Sequence, residues 1–392
     1  MKILFLSRWF PYPPSNGSKL RIYNLLRALK SNHEVTLLSF SDQTQSESEA
    51  LEVLSICSDL HIVPWREYNP KSVRARLGFL SLKPRSIVDT FSPEMAEKIS
   101  TLLKDRRYDL VIASQLSMAA YYPYFKNTPS IFEELEIGLT LPDMYPQMGY
   151  KDYLRRKITW VKLRHYLAKL FNFFQAITVV SDKEAEQVSQ YFPGRQKVVV
   201  IPNCLNVDDY KKVHVKPIPG RLIFTGSFRY PVNYEAMQWF VGRVFPLILQ
   251  KIPSAHLIIT GDHADLPLPS NQQITLAGHV DDVRPLLASS MVAVAPLWSG
   301  GGTRLKILES LALGIPVVST SKGAEGLEVV HGKNVLLADD PLGFAESAVR
   351  ILEDPGLRDR LSEEGGRLVR EKYSFEVMSK SFEVLLQSFN SL

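Results

Sequence analysis

The residues of this 392-residue chain best suited to chemistry begin at Trp298 and read Trp298-Ser-Gly-Gly-Gly-Thr-Arg-Leu-Lys-Ile-Leu-Glu309. Gly300, Gly301 and Gly302 clear the side chains from a loop between a short apolar run and a helical pattern, so its backbone can approach a ligand closely. The helix that opens through Thr303, Arg304 and Leu305 presents unpaired N–H groups and the positive end of its dipole, which together take a phosphate. Arg304 and Lys306 stand in that same first turn, where their charge opposes the dipole unless an anion lies between them and the backbone. Glu309, a turn and a half along, is placed to accept the two hydroxyls of a ribose attached to that phosphate. The plainer alternative is a Gly-rich connection ending in a surface glutamate. Against it, glycines, bases and an acid share one register at a strand-to-helix junction.

Positioning these groups falls to alternating elements. Short apolar, β-branched runs at 2–7, 35–40, 60–63, 110–113, 130–132, 176–180 and 197–201 are separated by segments of helical periodicity, the first near 19–31. After a polar, Pro-containing stretch at 202–220 the pattern restarts, with strands predicted at 221–225, 257–260, 274–277, 292–295, 317–320 and 335–338. Repeated βαβ grammar implies parallel sheets covered on both faces. The fold class expected is therefore α/β, with two doubly wound Rossmann-like domains facing a cleft, ligands lying at the carboxyl ends of the strands. The boundaries expected are 1–201 and 221–375, with a linker at 202–220 and a C-terminal helix at 376–392 packing back toward the first domain.

Composition narrows the classes. Hydrophobic residues at 45% and charged residues at 22% describe a packed globular protein. Residues 1–200 hold 27 basic and 20 acidic side chains, whereas 201–392 hold 19 and 21. No dense basic stripe or reader motif accompanies the net charge of +5, so nucleic acid is not an expected partner. Cys57 and Cys204 are too few and too scattered for a disulfide framework or a thiolate metal site, which favours a reducing compartment. The N-terminal apolar run, Ile3 to Leu6, is too short for a secretion signal, and no run is long enough to span a bilayer. A cytoplasmic protein is expected, with any membrane contact peripheral.

Residues 151–174 are basic and amphipathic, with Lys151, Arg155, Arg156, Lys157, Lys162, Arg164 and Lys169 among apolar residues. The stripe can be core and the charges a solvated face, or the helix can lie on an anionic membrane. His33, His165, His256 and His331 read as structural or surface residues. His263 has acidic neighbours, but three residues in one loop rarely hold a hard cation, so no metal is expected.

The chain resembles the family-4 retaining glycosyltransferases of the GT-B fold. The likeness rests on the Gly-rich loop and glutamate helix, Ala312-Leu-Gly-Ile-Pro-Val-Val318, Ile177-Thr-Val-Val-Ser-Asp182 with Val200-Ile-Pro-Asn203, Phe224-Thr-Gly-Ser-Phe-Arg-Tyr-Pro-Val-Asn233, Ala277-Gly-His-Val-Asp-Asp282, Gly323-Ala-Glu-Gly-Leu327 and the opening Phe10-Pro-Tyr-Pro-Pro-Ser-Asn-Gly-Ser-Lys-Leu-Arg21. It implies an acceptor-side first domain and a nucleotide-sugar-binding second domain.

What the resemblance implies can be placed residue by residue. Glu309 matches the second glutamate of the family's Glu-x7-Glu pair and holds the ribose; the first falls on Gly301. The family's usual Arg and Lys after the first strand of the second domain fall near Ser227 and Val232. Arg304 and Lys306, with Arg229, are therefore the candidates for neutralising the diphosphate. Gly226 opens the second domain's donor loop, Val280 matches the loop whose backbone meets the base, and Gly17 matches the glycine that approaches the diphosphate from the first domain. The family's histidine near the acceptor is absent, and Glu133, Glu134 and Glu136 follow that strand instead, where acids could orient an acceptor hydroxyl.

The expected function is transfer of a sugar, with retention, from a nucleoside-diphosphate donor to a glycan, lipid-linked or small-molecule acceptor, with no cofactor. A sugar-nucleotide epimerase or hydrolase on the same scaffold, or a catalytically silent subunit, are the alternatives. A dehydrogenase is disfavoured because no Gly-x-Gly-x-x-Gly follows the first strand.

Overall fold

A computed structural model of the chain describes residues 1–133, 150–194, 197–269, 271–300 and 303–389. The chain divides into two compact units, Met1–Pro202 with Ser379–Leu392, and Asn203–Met378.

The first unit is built on a seven-stranded parallel sheet: β1 (Lys2–Ser7), β2 (Glu34–Ser41), β3 (Asp59–Pro64), β4 (Leu110–Ser114), β5 (Ser130–Glu133), β6 (Ala176–Val179) and β7 (Lys197–Val200). The strand order is β3-β2-β1-β4-β5-β6-β7. In β1 everything after Lys2 is buried, as a strand covered on both faces requires. The helix Gly17–Lys30 begins where the side chain of Asn16 accepts the Lys19 N–H at 2.9 Å, and it buries Ile22, Leu25, Leu26 and Leu29.

The second unit carries β8 (Arg221–Thr225), β9 (His256–Thr260), β10 (Ile274–Gly278), β11 (Val292–Ala295), β12 (Val317–Ser319) and β13 (Leu336–Leu337), in the order β10-β9-β8-β11-β12-β13. In this doubly wound order the chain reverses direction across the sheet between β8 and β11, and the crevice beyond their carboxyl ends is the place for a ligand. The glycine-rich loop follows β11 directly.

One expectation requires correction. Of the stretch 202–220 expected as a linker, residues 203–220 fold with the second unit. They contain the short helix Val207–Lys211, Leu205 bridges to Ser374, and the Ile218 N–H reaches the Ser289 carbonyl at 2.8 Å. Their polarity, which suggested a linker, goes with exposure: the short helix packs against the helix Leu305–Ala312, and 211–219 lie almost wholly at the surface. In the helix Tyr150–Phe171 the later part of the apolar stripe is core, as the first of the two readings expects: Leu163, Leu167, Leu170 and Phe171 are buried, whereas Ile158 and Val161 are exposed. Phe171 and Phe174 meet Phe132 with ring centroids 5.8 and 5.4 Å apart.

Candidate functional site

The helix Leu305–Ala312 starts at Arg304 with no side-chain cap and buries Ile307, Leu308 and Leu311 beneath it. Anchored on that apolar face, it aims its uncapped N-terminus at the loop after β11. Gly300 has φ +94°, a left-handed conformation that favours glycine. A Cβ there would stand 3.1 Å from the Arg304 guanidinium and from the Tyr230 hydroxyl. Arg304 is buried and its Nη2 donates to the Ser299 carbonyl at 3.1 Å. The hydroxyls of Ser299 and Thr303 are buried without a hydrogen-bond partner among the described residues. Buried polar atoms are seldom left unpaired, and an anion in this loop would satisfy both.

Lys306 reaches from the first turn of the helix across to the loop after β8. Its Nζ donates to Asn233 Oδ1 at 2.9 Å and lies 4.1 Å from the centroid of the Phe224 ring. Asn233 is fixed in turn by donating from Nδ2 to the Ser227 carbonyl at 2.8 Å. Gly226 makes room for this pair, since a Cβ on it would lie 2.8 Å from the ammonium and 2.7 Å from Asn233 Nδ2. Burial, reinforced by the neighbouring charge of Arg304 and partly offset by Glu309, pushes the Lys306 ammonium down to about 7. An incoming diphosphate would reverse that depression.

Glu309 meets Tyr210, whose hydroxyl donates to Oε1 at 3.1 Å. Burial raises the Glu309 carboxyl above the usual range, opposed by the Tyr210 hydrogen bond and by Lys306. Burial and the adjacent carboxylate raise the Tyr210 phenol in the same way. Arg284 lies over the Tyr210 ring at 6.0 Å, grips both oxygens of Asp282, and donates to the Asp209 carbonyl at 3.2 Å. Val280, half-buried just beyond β10, belongs to the loop that carries Asp282. The second unit thus gathers Gly226, Val280, Gly300, Thr303, Arg304, Leu305, Lys306 and Glu309 around the carboxyl ends of β8, β10 and β11.

The remaining candidates have other surroundings. The guanidinium of Arg229 is paired with the Asp262 carboxylate, and its side chain is exposed. Gly17 is the exposed first residue of its helix in the first unit. Glu133, expected to orient an acceptor, is fully buried: Oε1 accepts from Arg21 Nε at 2.6 Å and Oε2 from the Ser114 hydroxyl at 2.7 Å. Arg21 also donates to the Ile201 carbonyl at 2.9 Å, which makes the pair a brace between the helix Gly17–Lys30 and the sheet. Glu134, Glu136, Gly301 and Gly302 lie outside the described residues. No group of three or more potential metal ligands occurs among the described residues.

Asn233, Tyr210 and Arg284 were missed by sequence reasoning. Asn233 lay inside a quoted motif, but only as part of a match; Tyr210 lay in a stretch read as linker.

A family described as Glycosyltransferase Family 4 matches residues 15–209, and one described as Glycosyl transferases group 1 matches residues 219–354. A Klebsiella pneumoniae protein described as an uncharacterized 44.6 kDa protein in cps region is 21% identical over 97% of this chain and 99% of its own. The lipopolysaccharide core biosynthesis glycosyltransferase LpsE of Rhizobium meliloti is 32% identical over 35% of this chain and 43% of its own. Among solved structures, Anabaena HepE in complex with UDP-glucose is similar in fold, with a TM-score of 0.67 at 14% identity over 99% of this chain and 100% of that one.

Proposed function

The chain belongs to the family-4, group-1 glycosyltransferases, and from that premise we propose that it moves a sugar from a nucleoside-diphosphate donor to an acceptor hydroxyl with retention at the anomeric carbon. One observation carries the donor reading: the hydroxyls of Ser299 and Thr303, without a partner among the described residues, lie in the same loop as the buried Arg304, at a helix N-terminus that no described side chain caps. A diphosphate there would take hydrogen bonds from the hydroxyls and backbone, and charge from Arg304 and Lys306. Glu309 would exchange the Tyr210 hydroxyl for those of the ribose, and the backbone near Val280 would meet the base.

The chemistry needs little else from the protein. As the glycosidic bond breaks, positive charge grows on the sugar and negative charge on the leaving diphosphate, so preorganised cations and N–H groups on the phosphate lower the barrier. The leaving phosphate oxygen would take the proton of the acceptor hydroxyl. No side-chain nucleophile is required, and the paired acids of an epimerase or hydrolase find no support in Glu133, whose oxygens are both engaged. The solved complex of HepE with UDP-glucose supports a uridine donor. The LpsE relative, a lipopolysaccharide core biosynthesis glycosyltransferase, supports a glycan or lipid-linked acceptor in polysaccharide synthesis.

No helix among the described residues is long and apolar enough to cross a membrane. The proposal further includes a cytoplasmic location, peripheral contact with the inner face of an anionic membrane, for which the basic excess of residues 1–200 speaks, and transfer without a metal. Thermal shift against a panel of UDP-, GDP-, ADP- and dTDP-sugars tests the donor, because a ligand of the folded state raises the melting temperature. NMR of the product's anomeric proton tests retention. Stabilisation by none of the panel, or an inverted product, would overturn the corresponding part.

A further inference from the structure

Between β3 and the helix Pro93–Asp105 the first unit holds a projecting segment with an unusual surface. Leu77, Phe79, Leu80 and Leu82 are all exposed, Leu80 at 89% and Leu82 at 70%. Single exposed apolar residues are ordinary, but four within six positions form a patch that calls for a partner.

The segment is built to hold that tip outward. Ser72 caps the short helix Val73–Leu77 by accepting the Ala75 N–H at 2.9 Å, and its hydroxyl donates to the fully buried carboxylate of Asp89. Asp89 also accepts the Asn69 N–H at 2.8 Å. Arg85 donates to the carbonyls of Ala75 and Pro70, each at 2.8 Å, and its guanidinium lies 3.9 Å from the Phe79 ring centroid. Lys162 of the helix Tyr150–Phe171 donates to the Phe79 carbonyl at 2.6 Å, which brings its exposed neighbours Ile158 and Val161 beside the tip.

Charge identifies the occupant. Residues 66–85 contain six basic side chains and one acidic, Glu67. Lys71, Arg76 and Lys83 are exposed around the apolar tip. An acidic protein surface would match the cations but give no reason for four hydrocarbon tips, and a second copy of the same face would set basic residues against basic residues. An anionic bilayer offers hydrocarbon below a negative headgroup layer, in the arrangement the segment presents.

We propose that residues 73–83, supported by the helix Tyr150–Phe171, are the element that docks this protein on an anionic lipid bilayer, Leu80 and Leu82 entering the hydrocarbon and Arg76 and Lys83 contacting the headgroups. The proposal rests on the membrane contact inferred above and moves its centre from the basic helix to the apolar tip. Flotation of the full chain with phosphatidylglycerol/phosphatidylcholine vesicles, and with phosphatidylcholine alone, tests it. Wild type should bind the anionic vesicles and be released by high salt. Leu80→Ser with Leu82→Ser should lower binding roughly tenfold or more while donor affinity and transfer to a soluble acceptor stay unchanged. In a Leu80→Trp variant, tryptophan emission should shift to the blue on adding anionic vesicles. An unshifted emission on vesicles that retain the protein would overturn the docking element and leave the membrane contact standing. No vesicle binding by wild type would overturn both. A concentration-dependent dimer lost in the double serine variant would identify the patch as a self-association face and overturn the proposal.

Discussion

The ammonium of Lys306 and the side-chain oxygen of Asn233, 73 positions apart in the sequence, lie 2.9 Å from one another beside Gly226. The contact ties the first turn of the phosphate helix to the loop after β8. It holds a partly neutralised lysine where a diphosphate would arrive.

Donor binding should therefore draw a proton from solution. With Lys306 pushed down to about 7, most of it is uncharged near pH 8 in the empty protein, and a bound diphosphate would raise it again. Calorimetry of UDP binding near pH 8, in two buffers of different ionisation enthalpy, should show uptake that Lys306→Met removes. A buffer-independent enthalpy would refute this. The sign for stability follows the same depression: from about 7 up to the ordinary lysine value of 10.5 the unfolded chain holds the proton more tightly, so the empty protein gains stability from this group as pH rises through that window.

Glu309→Gln should weaken donor binding by about 1 to 3 kcal/mol, as expected for loss of a charged hydrogen-bond acceptor. Tyr210→Phe removes the hydroxyl that now satisfies this carboxylate and should lower the stability of the empty protein by about 1 kcal/mol. Unchanged UDP affinity in Glu309→Gln would remove the ribose assignment.

Arg304→Ala should lower kcat more than donor affinity, because negative charge on the diphosphate grows as the glycosidic bond breaks. Since Arg304 also holds the Ser299 carbonyl, Arg304→Lys serves as the conservative comparison. Steady-state kinetics beside UDP affinity separates the two effects; equal losses would mean that Arg304 provides only uniform binding.

Transfer should survive EDTA. No Asp-x-Asp pair follows a strand, and Arg304, Lys306 and the helix N-terminus can neutralise the diphosphate. Inhibition reversed by magnesium or manganese would show that a divalent ion does this instead.

Arg21→Ala should cost about 3 to 5 kcal/mol of stability, because it leaves the buried Glu133 carboxylate without its cation. Replacing both residues, Arg21→Met with Glu133→Gln, should recover part of that loss in urea unfolding. Full stability in the single variant would argue against the brace.

The sequence by itself determined the strands and the phosphate loop. A parallel strand covered on both faces is a continuous apolar run, so its position is legible from local composition alone, and β1, β4, β8 and β11 all show it. The glycines, Arg304, Lys306 and Glu309 were equally legible, because one loop and one helix turn carry them and their spacing is itself the geometry. Only the tertiary structure decided the partners. Asn233 with Lys306, Tyr210 with Glu309, and Arg21 with Glu133 lie 73, 99 and 112 positions apart, and they meet because of how elements remote in sequence pack around each sheet. Burial was decided there as well. Leu80 and Leu163 are the same residue type in segments of similar composition, yet one is 89% exposed and the other 8%. The difference lies in which face another element covers, a property of the packed chain that no local window of sequence contains.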